Sequence, residues 1–361
     1  MSSSTLISSL RSVFLKRVLT ARQPSSRIYY HITKGPNFKM LPSITLEEHY
    51  LSSAYIEAQK SDSSLLDLNA DFPPQLINKL KSLTDDRIKD MDNGNVSIQV
   101  LSHAPVDPSP SLSKQINDEL AQAISKNPSR LRGFATLPMG EPPAAAQELE
   151  RCVKELGFVG ALVDNHIDGK FYDGEKFWCV FEKAQDLDVP IYIHPTFTAE
   201  SDMAKYRGNY NDRIAMALSN FGWGWHSDTG LHFLRLFAAG VFDRFPKLKL
   251  VLGHMGELLP FQLDRIYGIA EHFGRERKLK DVWDENVWVT TSGMFSLAPL
   301  ACLLQTKSRD KVLYSVDYPF SNNERGAEFM SKVEKSELFG EELDGFAYKN
   351  AEKLLKIKVS K

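Results

Sequence analysis

From Ser43 onward, short runs rich in β-branched and apolar residues alternate with stretches patterned for helices, and this alternation constrains the fold more than any other feature of the chain. Eight runs predict strands: Ser43–Leu46, Val96–Ser102, Leu131–Leu137, Phe158–Val163, Val189–Ile193, Leu248–Leu252, Val287–Thr291 and Val312–Val316. Helical patterns separate most of them, over Thr84–Met91, Ala144–Leu156, Lys176–Asp186, Thr229–Ala239, Glu257–Phe273 and Leu297–Leu304. Two more follow the last strand, around Glu324–Glu337 and Gly345–Lys356. Strands separated by helices pair in parallel, as βαβ units. Eight such units in about 320 residues are the content of one (β/α)8 barrel with insertions. A doubly wound open sheet competes less well. No Gly-rich phosphate loop follows an early strand, and Gly253-His254-Met255-Gly256 lacks the dinucleotide spacing.

The first 39 residues read as a separate N-terminal extension. Glu47 is the first acid, and seven basic residues precede it: Arg11, Lys16, Arg17, Arg22, Arg27, Lys34 and Lys39. Together with many serines and a loosely amphipathic stretch over 6–19, this predicts a mitochondrial transit peptide and a matrix location. An untargeted extension, with initiation at Met40 and a cytoplasmic location, is the other reading. Residues 40–361 read as one barrel domain. Removing the seven leader charges leaves 37 basic residues against 46 acidic ones, so the body is acidic and an unsuitable partner for nucleic acid. No apolar run is long enough to span a bilayer. Cys152, Cys179 and Cys302 are too few and too scattered for a disulfide framework or a cysteine zinc site.

In a barrel of this kind the chemistry projects from the C-terminal ends of the strands. Four predicted strand ends carry polar residues out of keeping with their apolar strands: Glu47-Glu48-His49, His194-Pro195, His254-Met255-Gly256-Glu257 and Asp317-Tyr318-Pro319. Side chains two apart on a strand share a face, so Glu47 and His49 go together, and Glu48 is expected outward or salt-bridged. Glu47, His49, His194 and Asp317 would then converge as a mixed nitrogen and oxygen site for one divalent metal. Zinc ranks first, and the two carboxylates also suit manganese or magnesium. Glu257, expected in the first turn of a helix, lies three residues after His254 and can orient its ring.

Three other features bear on substrate. Phe221-Gly222-Trp223-Gly224-Trp225-His226-Ser227-Asp228 reads as a flexible loop whose Trp223, Trp225 and His226 would meet a planar ring, or else as an apolar lid or dimer patch. Arg265 would meet a substrate carboxylate or a neighbouring subunit, or pair with a nearby acid. His103 is a lower-ranked candidate for the mouth and His232 a packing residue, while His31, His166 and His272 have no supporting context.

With these residues placed, the body from about Ile44 to Ile357 resembles the amidohydrolase superfamily, and within it the metal-dependent decarboxylases of hydroxybenzoates such as 2,3-dihydroxybenzoate, γ-resorcylate and salicylate. The resemblance is carried by Leu46-Glu47-Glu48-His49, Asp243-Arg244-Phe245-Pro246-Lys247-Leu248, Leu252-Gly253-His254-Met255-Gly256-Glu257, Thr290-Thr291-Ser292-Gly293, Ser315-Val316-Asp317-Tyr318-Pro319 and Asn350-Ala351-Glu352-Lys353-Leu354-Leu355, in that order. It implies a carboxy-lyase of aromatic acid metabolism acting on an o-hydroxybenzoate-type acid. Glu47, His194 and Asp317 would be metal ligands, with His49 a ligand in some members. Asp317 would also be the proton donor, His254 and Glu257 a pair beside the substrate, Arg265 a substrate-side residue, and the assembly a dimer or tetramer. Hydrolytic branches open with His-x-His, where this chain has Glu47. A metal-dependent hydrolase of a lactone, ester or amide is therefore the alternative, and a silent scaffold barrel the third reading.

Overall fold

A computed structural model describes residues 41–62, 65 and 72–360. The transit-peptide reading falls on residues 1–39, outside the described residues.

Among the described residues, nine strand segments form two parallel runs. In the first, β1 (Ile44–Tyr50) pairs with β2 (Ile98–His103), and β2 with β3 (Leu131–Gly133). The second comprises β4 (Ala135–Thr136), β5 (Ala161–Asp164), β6 (Pro190–His194), β7 (Lys249–Leu252), β8 (Val287–Thr290) and β9 (Val312–Leu313), each paired with the next. Both seams are stitched. At the first, Phe134 N–H donates to Leu101 O at 2.9 Å while Ala135 N–H donates to Gly160 O at 2.8 Å. The expected strand 131–137 is thus one extended segment that hands over from β2 to β5. At the second, Glu48 bridges in parallel to Tyr318, just past β9, and His49 N–H donates to Tyr318 O at 2.6 Å. Counting β3 and β4 as one strand, the eight expected strands close into the expected barrel.

The period of two sorts the strand residues. Val251, Tyr192, Val100 and Leu313 fill the lumen with Ile44 and Leu46, and the C-terminal Leu354, Leu355 and Ile357 belong to the same cluster. Their neighbours Leu250, Leu252, Ile191, Ile193 and Leu101 face the other way, into the larger core beneath the helices. The helices arise where expected, with differences at their ends. Helix Pro110–Lys126, the longest among the described residues, has no counterpart among the expected ones. It opens with Ser109 as N-cap and Pro110 at its first position, a helix-start signal the sequence does carry.

Two local expectations are corrected. Glu257 is not in the first turn of a right-handed helix: His254, Met255, Gly256, Glu257 and Leu258 all have positive φ, from 47° to 88°, and the helix begins at Leu259. Four of these residues carry a Cβ, which makes left-handed backbone costly. The aromatic segment is only partly loop: residues 221–223 form a turn before the helix. Trp225 and His226 lie in the first turn of helix Gly224–Ala238, which starts five residues before the expected Thr229.

Candidate active site

The site begins with an irregularity in β1. Pairing with β2 slips by one residue between Thr45 and Glu48. A regular strand would send Ile44, Leu46 and Glu48 to the lumen. The extra residue of a bulge lets Leu46 and Glu47 both face inward, turns Glu48 away, and returns His49 to the lumen. Ser315, after β9, holds the bulge. Its Oγ accepts the successive N–H groups of Leu46 and Glu47, at 3.0 and 2.9 Å, and donates to Glu48 Oε1 at 3.1 Å.

Five expected residues meet at the mouth. Glu47, His49 and His194 offer donor atoms all within 4.8 Å of one another, as do Glu47, His254 and Asp317. Glu47 Oε1 lies 3.2 Å from His194 Nε2 and 3.5 Å from His254 Nε2, and His49 Nε2 lies 3.4 Å from Asp317 Oδ1. Glu47 and His49 are fully buried, and Asp317 keeps 17 % of its side-chain surface exposed. Asp317 adopts φ 68°, and glycine at position 293 leaves room for it, since a Cβ there would stand 3.2 Å from Asp317 Oδ2. Gly253 is equally required: its Cβ would come 2.8 Å from Glu47 Oε2 and 3.3 Å from Glu257 Oε1.

The electrostatics follow from this crowding. Against the upward push of burial, His254, His194 and His49 hold the Glu47 carboxyl well below its usual range. Burial and the charge of Glu47 push Asp317 up to about 8. Burial pushes His49 down to about 4, with Glu47 opposing. His254 goes the other way: burial would lower it, but Glu47 and Glu257 carry it to about 10. Glu47 Oε1 and His49 Nε2 are buried and carry no hydrogen bond. Buried polar atoms ordinarily find partners. Lone pairs from two carboxylates and two imidazoles turned on one point are the condition a divalent cation satisfies, so this donor set fits a metal.

A match to the amidohydrolase family model covers residues 78–357. The chain belongs to the amidohydrolase family. Within it, this amidohydrolase falls in the hydroxybenzoate decarboxylase branch. Decarboxylase orsB of Emericella nidulans is 48% identical over 329 residues, covering 89% of this chain and 98% of the relative. The structure of a dihydroxybenzoic acid decarboxylase from Polaromonas sp., with bound manganese and the inhibitor 2-nitroresorcinol, superposes with a TM-score of 0.76 at 33% identity, covering 88% of this chain and 97% of that one. The 5-carboxyvanillate decarboxylase of Novosphingobium aromaticivorans, complexed with manganese and 4-hydroxy-3-methoxy-5-nitrobenzoic acid, gives 0.78 at 27% identity, covering 88% and 96%.

Not every expected residue reaches the mouth of this amidohydrolase. Arg265 lies on the exposed side of helix Leu259–Ala270. Trp223 is 55 % exposed, while Trp225 packs between Phe197 and Phe221 and donates to Asn220 Oδ1. His226 does arrive, bonded to Glu257. His103 does not join the cluster: its Nδ1 donates to Ala104 O and its Nε2 accepts from Ser52 N–H. Glu48 is neither outward in solvent nor salt-bridged. It is fully buried and accepts from Ser315 Oγ, Val316 N–H, Tyr318 N–H and Gln99 Nε2. Sequence reasoning passed over Tyr192, whose hydroxyl donates to Glu47 Oε2 and also meets Thr290 Oγ1 at 2.7 Å and Ser292 Oγ at 3.2 Å. Its signal was present, two residues before His194 on the same face of one strand.

Proposed function

We propose that this protein is a metal-dependent, non-oxidative decarboxylase of an aromatic acid bearing a hydroxyl ortho to its carboxylate. The observation that carries the reading is the set of unpartnered donors on Glu47 and His49, closed by His194 and Asp317, in a chain that aligns over nearly its whole body with aromatic acid decarboxylases. Glu47, His49, His194 and Asp317 would hold the ion. Bound there, it would supply Lewis acidity to the substrate.

The chain supplies the rest. Decarboxylation consumes one proton: the ring carbon bearing the carboxylate gains it, the bond to the carboxylate breaks, and its electron pair restores the aromatic ring as CO2 leaves. Asp317 is the acid at the mouth placed to donate to that carbon, and burial with the charge of Glu47 pushes its carboxyl up before any ion binds. His254, held through Nδ1 by Glu257, presents Nε2 toward the cluster, 3.5 Å from Glu47 Oε1, and steadies the carboxylate until it departs. Sequence alone ranks zinc first, but the manganese in two relatives and the two carboxylates of the donor set favour manganese.

Incubating the manganese-loaded protein with a panel of o-hydroxybenzoates and lactones tests the proposal. CO2 release from at least one acid is expected, lost on chelation and restored better by manganese than by zinc. Lactone opening without CO2 release would replace it with the hydrolase reading. We also propose a homo-oligomer. Phe261, Arg265 and Ile269 form an exposed stripe at four-residue spacing on helix Leu259–Ala270, with Phe261 82 % exposed. Light scattering on Phe261→Glu checks this: a smaller assembly than that of the wild type is expected.

A further inference from the structure

We infer that His226 is a positioning residue that clamps Glu257 and, through it, sets the ring of His254. This rests on the decarboxylase reading for its consequence but on geometry for its existence. The argument starts from the backbone. Glu257 belongs to the run of left-handed residues 254–258, where Gly256 N–H donates to Gly253 O at 2.7 Å and Leu258 N–H donates to Gly256 O. No helical ladder orients the Glu257 side chain, so its direction depends on what it meets.

It meets two imidazoles, one on each oxygen. His254 Nδ1 lies 2.8 Å from Oε1 and His226 Nδ1 lies 2.7 Å from Oε2. An ionised carboxylate only accepts, so both Nδ1 atoms carry hydrogen. The two rings stand edge to face, with centroids 4.8 Å apart. Helix Gly224–Ala238 delivers the second ring. Gly230 is four residues after His226 and on the same face, and a Cβ there would come within 2.6 Å of Glu257 O. Glycine at 230 lets the helix backbone close onto the turn, which brings His226 within reach of the carboxylate.

The consequence falls on His254. With one imidazole, a carboxylate can rotate and release its partner. With both oxygens engaged, Oε1 stays on His254 Nδ1, and Nε2 remains the atom that faces Glu47, 3.5 Å away. His226 is 12 % exposed in its side chain, so direct contact with substrate is the competing role.

Two variants separate these roles. His226→Asn keeps a donor near the place of Nδ1 but removes the outer edge of the ring, and His226→Ala removes both. Clamping predicts that Ala lowers kcat about 10- to 100-fold with KM and metal content unchanged, and that Asn restores most of it. It also predicts that His226→Ala adds little in a Glu257→Gln background. A rise in KM shared by Asn and Ala, additive with Glu257→Gln, would overturn it in favour of substrate contact. A second readout is independent of turnover. The downfield Nδ1–H resonance of His254 should exchange slowly in the wild type and become solvent-exchanged in His226→Ala, and an unchanged resonance would overturn the clamp. Absence of CO2 release by the wild type would sink the decarboxylase reading and leave the resonance test standing.

Discussion

Glu47 and Glu48 are adjacent, both fully buried, and chemically the same, yet they have opposite fates. Glu48, outside the barrel wall, accepts four hydrogen bonds from Ser315, Val316, Tyr318 and Gln99, and burial still pushes its carboxyl up to about 8. Glu47, inside, has one oxygen on Tyr192 and the other on nothing but the edges of histidines, and its carboxyl is held well down. Burial alone therefore does not mark a working carboxylate. What separates the two is whether the fold has supplied hydrogen-bond donors for the lone pairs or left an oxygen without one. Glu48 ties β1 to the segment that carries Asp317, and Glu47 is what that tie positions.

The contrast breaks most sharply at Glu47. Glu47→Ala should strip the metal and cut CO2 release at least about a thousandfold, while the melting temperature stays near that of the apo wild type. Elemental analysis beside the turnover assay checks both, and retained metal would put Glu47 outside the donor set. Glu48→Ala should reverse the pattern. It strands the buried N–H groups of Val316 and Tyr318, at about 1–3 kcal/mol each, so a loss of roughly 3 kcal/mol is expected. Chemical denaturation should show that loss with metal stoichiometry intact. Metal loss at unchanged stability would mean that Glu48 belongs with Glu47.

The sequence carried the strands, their number and the site's donor types because those follow from periodicities of two and 3.6 and from polar residues interrupting apolar runs. It even paired Glu47 with His49, though for an incomplete reason. By alternation alone, Ile44 and Leu46 belong to the lumen, and Glu48 should have continued their face. A bulge resolves the conflict, and its cause is Ser315, 268 residues beyond Glu47. A long-range acceptor leaves no local pattern in the strand it bends. The same holds for the left-handed turn at 254–258, where four of five residues are not glycine and nothing local favours positive φ. Arg265 is a different case: a spacing of eight places it two turns into a helix but does not say which face it takes, and that face is exposed in the single chain. Tyr192 needed only the question of which neighbour shares a face with His194.

The smallest expected effect carries the contrast from carboxylates to histidines. His232, on helix Gly224–Ala238, is fully buried, with Phe171 and Tyr172 rings beside it and its Nε2 accepting from Tyr172 N–H at 3.2 Å. No carboxylate bonds it, and burial pushes it down to about 3, with Asp173 opposing. In the unfolded chain the ring titrates near 6.5. Below that pH the unfolded state binds a proton that the folded state refuses. Stability from this group is therefore whole above about pH 6.5 and drains as the pH falls toward 3, by about 2 kcal/mol at pH 5. His232→Phe keeps a ring between Phe171 and Tyr172 and loses the acceptor for Tyr172 N–H, a cost that does not vary with pH. The difference in unfolding free energy between wild type and variant should then shift by about 2 kcal/mol from pH 7 to pH 5, equally with and without chelator, because the neighbours named for His232 do not touch the metal cluster. A shift that vanished on chelation would place His232 in the same electrostatic unit as Glu47, and the division between the inside and the outside of the wall would fail.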